Sequence, residues 1–140
     1  MIRAYVRSED ALLDETFYED VVYLIQRLGY EVTSEDERLI GFLVDDSVQE
    51  LLNETHQRHL PAGLRTFFIK RIVGRFYLKK IATTGVPSDF HFERAVSEVS
   101  EGGDRVVFAD GSSAEDRFLA CMRSYAEGGE EWIHYRRLAW

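Results

Sequence analysis

The stretch LRTFFIKRIVGRFYLKKIA, Leu64 to Ala82, decides how the rest of the chain is read. Its apolar residues are Leu64, Phe67, Phe68, Ile69, Ile72, Val73, Phe76, Tyr77, Leu78 and Ile81. On a helix they cover far more than half the circumference, and a helix that apolar must be enclosed by other elements. The polar positions, Arg65, Lys70, Arg71, Arg75, Lys79 and Lys80, fall on one remaining stripe. The spacing therefore predicts the central helix of a bundle, with one basic edge. Pro61 just upstream suits helix initiation, since proline is tolerated in the first turn and discourages helix before it. Thr83-Thr84-Gly85-Val86-Pro87-Ser88 is a turn-rich stop.

Toward the N-terminus, Thr16 to Leu28 carries Phe17, Val21, Leu24, Ile25 and Leu28 at spacings of three and four, which predicts an amphipathic helix ended by Gly29. Ser34-Glu35-Asp36-Glu37 has the pattern of a capping box, in which a hydroxyl and a carboxylate each satisfy an orphan backbone N–H. The helix it opens has a core stripe of Ile40, Leu43, Val44, Val48, Leu51 and Leu52. Asp45, Asp46, Gln49 and Glu50 fall on its solvated side.

Toward the C-terminus, His91 to Arg94 is read as leading into strands. Ala95 to Ser100 and Arg105 to Ala109 are Val-bearing runs joined by Glu101-Gly102-Gly103-Asp104, a pattern that predicts a β-hairpin. Ser112-Ser113-Ala114-Glu115-Asp116 caps a further helix with Phe118, Leu119, Met122 and Tyr125 on its buried side and Gly128-Gly129 at its end. Glu130 to Arg137 fits a last short helix or an extended arm. The expected fold is mainly α: a small bundle of about four to five helices with one β-hairpin between the third and fourth main helices. Residues 1–140 read as a single domain, with 1–15 an N-terminal arm of no clear pattern.

The net charge of -8 is unevenly spread. Residues 62–82 contain no acid and hold the six cations of the central helix, while acids outnumber cations on both sides. An acidic balance argues against tight, generic phosphate binding. Cys121, the single cysteine, forms no internal disulfide, and it sits in an apolar run where burial as a small hydrophobe is expected. No segment approaches the ~20 apolar residues of a membrane span, and Met1 to Arg7 has no long apolar signal core. A soluble, cytosolic chain is the expectation.

No stretch has the look of catalysis. His56 and His59, at i and i+3, are the nearest approach to a metal pattern, but a site needs further ligands and no Cys pair adjoins them. His91 and His134 are isolated. The glycines are too scattered for a phosphate loop, and neither GxxxxGK[ST] nor GxSxG occurs. No catalytic residue, metal or cofactor is assigned. The closing segment differs from the rest: Trp132, Tyr135, Leu138 and Trp140 surround Arg136 and Arg137, residue types enriched in protein interfaces. Trp132 fits equally well in the core.

The order of these features resembles the head-to-tail connector, or adaptor and head-completion, proteins of long-tailed bacteriophages and prophages. The residues that carry the resemblance begin with the Ser34 to Glu37 cap, Leu60-Pro61-Ala62-Gly63-Leu64 and Val73-Gly74-Arg75-Phe76-Tyr77-Leu78-Lys79-Lys80. They continue with Ser97 to Asp104, Val106-Val107-Phe108 and Tyr135-Arg136-Arg137-Leu138-Ala139-Trp140. The resemblance covers most of the chain and implies a non-enzymatic virion protein without cofactors. It would assemble as a homo-oligomeric ring, commonly of twelve copies, between the portal ring and the stopper or tail-completion protein. DNA would pass through its channel without sequence-specific binding, and no membrane is involved.

The implied location is the head-to-tail junction of the virion, with subunits in the host cytoplasm before assembly. The segment 130–140 would be the portal-docking segment, through Tyr135, Arg136, Arg137, Leu138 and Trp140. Arg65, Arg71, Arg75 and Lys79 of the basic stripe, with Glu101 and Asp104 near the hairpin, would meet neighbouring subunits. The alternative from a different class is a small DNA-binding or DNA-packaging accessory protein that uses the basic stripe on the third helix.

Overall fold

The computed structural model describes residues 15–55, 65–101, 108 and 110–127. Five helices follow one another: α1 (Glu15–Arg27), α2 (Ser34–Thr55), α3 (Arg65–Thr83), α4 (Phe92–Glu101) and α5 (Ala114–Glu127). As its composition requires, α3 is the central element. It packs most extensively on α5 and also on α2 and α1, while α4 lies against α5.

The core forms where these faces meet. Phe17, Val21 and Ile25 of α1 and Ile40, Val44 and Val48 of α2 are buried against Phe68, Ile72, Val73, Phe76 and Tyr77 of α3. On the other side Ala95 and Val99 of α4 and Phe118, Cys121 and Met122 of α5 complete it. Tyr77 is the aromatic centre, edge-on to Phe118 at 5.0 Å and to Phe76 at 5.7 Å, the geometry that ring quadrupoles favour. Its hydroxyl donates to the Ile25 carbonyl at 2.6 Å. That carbonyl is one of the last four of α1, which have no intrahelical partner, so the buried phenol satisfies the end of a neighbouring helix. Burial raises the Tyr77 phenol well above its usual pKa and keeps it protonated as the donor.

Two helix ends match their sequence signals closely. Gly29, at φ +116°, turns the chain after α1 in a conformation that favours glycine. Ser113 Oγ accepts from the Asp116 N–H at 3.1 Å and caps α5. At the start of α2 the box is shifted by one residue from Ser34. Thr33 is the cap, and Asp36 Oδ2 accepts from the Thr33 N–H at 2.9 Å and from its hydroxyl at 3.0 Å.

The β-hairpin is overturned. Ala95 to Ser100, read as its first strand, lies within α4, and His91 to Arg94 leads into that helix: the Ala95 N–H donates to the His91 carbonyl at 3.0 Å. The physical reason is periodicity. Phe92, Ala95, Val96 and Val99 stand at i, i+3, i+4 and i+7, so they share a helical face, whereas Val96 and Val99 fall on opposite faces of a strand. Ala95 and Val99 are buried, and Glu93, Arg94 and Ser97 are exposed. Among the described residues there is no strand. Most of the second run, Arg105 to Ala109, lies outside the described residues, as do Gly102 to Asp104, residues 1–14 of the expected arm 1–15, Pro61 and the segment 128–140; Glu15 opens α1.

One close approach sets the bundle's geometry. A Cβ on Gly74 of α3 would stand 2.6 Å from the Ala126 nitrogen, the Met122 carbonyl oxygen and Tyr125 Cβ of α5. Only a hydrogen fits there, so Gly74 lets the backbones of α3 and α5 come together.

Candidate functional site

The chemistry-bearing residues converge along α3, where the predicted basic stripe meets carboxylates of α1 and α2. Glu50 of α2 is the first centre. It accepts from Arg71 Nη1 at 2.6 Å and from Arg75 Nη2 at 2.7 and 2.9 Å. Arg75 Nη1 also donates to the buried Ser47 hydroxyl at 3.0 Å. Arg71 is only 3% exposed, and its Nη2 reaches the Glu127 carbonyl at 3.1 Å, at the C-terminal end of α5. A cation there complements the helix dipole and an orphan carbonyl together. Arg71 thus ties α2, α3 and α5, and stands where the chain leaves α5 toward residues 128–140.

Asp36, 2% exposed at the start of α2, is the second centre. Besides its two bonds to Thr33 it accepts from the Tyr30 hydroxyl at 2.8 Å and from Lys80 Nζ at 2.9 Å. Burial pushes the Asp36 carboxyl up. The hydrogen bonds from the Thr33 N–H, Lys80, Tyr30 and the Thr33 hydroxyl outweigh that and hold it below its ordinary value. The hydrogen bond to Asp36 in turn raises Lys80, despite its partial burial. Tyr30 is raised by burial and by its bond to Asp36. Tyr18 is pushed up to about 12, by burial and then by the Glu37 and Asp36 charges. Each of these groups is moved further from neutrality, so the cluster holds charge in place at pH 7 and does not exchange protons there.

The remaining cations go elsewhere. Arg65 pairs with Asp20 of α1 at 2.6 Å and lies over the Phe17 ring, and Lys70 lies over the Tyr125 ring at 5.6 Å. Lys79 is exposed. Of the residues expected at subunit contacts, Arg71 and Arg75 are brought together on Glu50, Arg65 stands apart on Asp20, and Glu101 is exposed at the end of α4. Asp104 and the docking residues Tyr135, Arg136, Arg137, Leu138 and Trp140 lie outside the described residues, as do His56 and His59. No group of three His, Cys, Asp or Glu side chains is placed to hold a metal among the described residues. Nor is any described helix long and apolar enough to cross a membrane.

Sequence reasoning missed the two acids that organise this region. Glu50 was expected on the solvated face with Asp45 and Asp46, which are indeed exposed. It sits at the boundary of the apolar stripe, three residues after the buried Ser47, and is half-buried where those two acids are exposed. The usable signal was the pair Arg71 and Arg75 at i and i+4, which one facing carboxylate can clamp. No protein-family model, curated protein or solved structure matches the chain.

Proposed function

We propose that this chain is a structural subunit of an oligomeric ring that joins a phage portal to the stopper or tail, leaving a channel for DNA. The observation that carries the reading is the inward use of α3's cations. Arg65, Arg71, Arg75 and Lys80 hold Asp20, Glu50 and Asp36 of their own chain. Among the described residues, exposed carboxylates such as Glu19, Glu35, Asp45, Asp46, Glu93 and Asp116 outnumber exposed cations such as Arg38, Lys79, Arg94, Arg117 and Arg123. Such a surface repels the phosphate backbone and lets DNA slide, where a basic lining would retain it through counterion release. The order of the sequence features, which resembles that of connector proteins, supports the same reading.

In this assembly the docking segment is 130–140, with Tyr135, Arg136, Arg137, Leu138 and Trp140 engaging the portal. It follows directly from α5, whose end Arg71 anchors to α2 and α3. The test is capture of the full-length chain by purified portal rings encoded in the same genome. Stoichiometric capture is expected, reduced at least tenfold by removing residues 130–140 with helix content retained. Failure of the full-length chain to bind, under conditions where an authentic connector binds its own portal, contradicts the proposal.

A further inference from the structure

α5 ends at Glu127, with Tyr125 and Ala126 buried just before it. The last four carbonyls of a helix have no partner within it, and such an end frays unless something else takes them. Here Arg71 Nη2, from α3, donates to the Glu127 carbonyl at 3.1 Å. The Glu127 side chain is exposed, so Arg71 holds this residue through its main chain. Gly128 and Gly129 come next in the sequence and bring no side chain, so Arg71 grips the chain at the last residue before them.

Arg71 is itself fixed. Its Nη1 donates to Glu50 at 2.6 Å, and Glu50 accepts two further bonds from Arg75, which also donates to the Ser47 hydroxyl. The guanidinium lies 5.1 Å from the centroid of the Phe67 ring, one turn earlier on α3. Arginine's planar fork lets one group hold acceptors on two helices at a set angle, which the point charge of a lysine does not reproduce. At 3% exposure Arg71 cannot touch a partner, and it acts only through what it holds.

We infer that Arg71 is a positioning residue for assembly: by holding the Glu127 carbonyl it fixes the point on the bundle from which residues 130–140 reach the portal ring. The inference rests on the portal-docking reading of that segment and names the buried group that sets its starting point. A segment that starts from a fixed point loses less freedom on docking than one that starts from a frayed helix end. Affinity therefore depends on a residue that makes no contact with the partner.

The test compares full-length wild type, Arg71→Lys and Val21→Ala by hydrogen exchange and by titration onto purified portal rings encoded in the same genome. Lysine keeps a cation for Glu50 without the second arm, and Val21→Ala weakens the core at α1, an element other than those Arg71 joins. In Arg71→Lys the amides of Ser124 to Glu127 are expected to exchange at least tenfold faster, while those of Phe118 to Met122 change less than threefold. Affinity for the portal should fall at least fivefold. Val21→Ala should change both sets of amides alike and leave portal affinity within twofold. If Arg71→Lys loses helix content, the double variant Arg71→Met, Glu50→Met takes its place with the same expectations, since it removes the buried charge together with its partner. Unchanged exchange at the end of α5, unchanged portal affinity, or an equal loss of affinity in Val21→Ala overturns the positioning role and leaves the portal reading standing. A wild-type chain that the portal does not capture, where an authentic connector binds its own portal, removes the portal reading and this inference together.

Discussion

Against α5, α3 presents Gly74, and the two backbones approach until a Cβ there would stand 2.6 Å from main-chain atoms. Against α2 it presents Arg71, Arg75 and Lys80, and the helices are held through Glu50 and Asp36. The first contact is specified by shape and tolerates no added volume. The second is specified by charge, and either carboxylate is costly to remove alone, because the buried Arg71 or the partly buried Lys80 loses its counter-charge. One helix thus carries two kinds of specificity on two faces.

Four single substitutions and one double variant test that contrast. The largest effect is expected for Glu50→Ala, which removes the carboxylate that the buried Arg71 shares with Arg75: about 3 kcal/mol of unfolding free energy should disappear in urea titration. Adding Arg71→Met should recover about half of that loss, since an apolar replacement of both partners removes the uncompensated charge. Full additivity of the two losses would count against a charge-specified contact. Next comes Gly74→Ala, at about 2 to 3 kcal/mol, because the atoms it meets are two main-chain atoms and the Tyr125 Cβ of α5, none of which can rotate away. An unchanged midpoint would mean that the helices stand further apart than described.

Asp36→Asn ranks third, at about 1 to 2 kcal/mol, through loss of the Lys80 pair and a weaker cap for α2. Its pH dependence has a defined sign. The Asp36 carboxyl is lowered from an ordinary 3.8, so its stabilisation is complete above that value and is lost as pH falls through the folded one. Lys80 is raised from 10.5, so its share is present below that value and is lost as pH rises beyond it. Wild-type stability should therefore converge on that of the Asp36→Asn variant as pH falls in the acid range, and a gap that does not narrow with falling pH would contradict the assignment. The smallest effect belongs to Asp46→Asn on the exposed face of α2, which should stay within about 0.5 kcal/mol.

The sequence shows the helical framework well, because long apolar stripes, the Gly29 stop and the Ser113 cap are local signals. Where two local patterns competed, the reading failed. Val96 and Val99 suggested strand by composition, but their spacing and the flanking Phe92 and Ala95 belong to a helix, and the neighbouring Gly102-Gly103 made a hairpin attractive. The α2 box slipped by one residue because Thr33 and Ser34 are both good caps, and only the Asp36 contacts separate them. The basic stripe was visible, yet its destinations were not. Which acid meets which cation depends on the relative rotation of α2 and α3, and no periodicity within one helix encodes that. Gly74 had an equally hidden role, since a glycine inside a helix announces a close approach without naming the neighbour.

If α3's cations hold the fold in place of gripping phosphate, fluorescence anisotropy of a labelled duplex titrated with the full-length chain from 20 to 200 mM salt shows it most directly. No saturable binding is expected at any salt in that range, in wild type or in the Lys79→Glu variant that alters an exposed cation of α3. Saturable binding at 20 mM that weakens steeply with salt and is lost on Lys79→Glu would contradict it and assign the stripe to DNA.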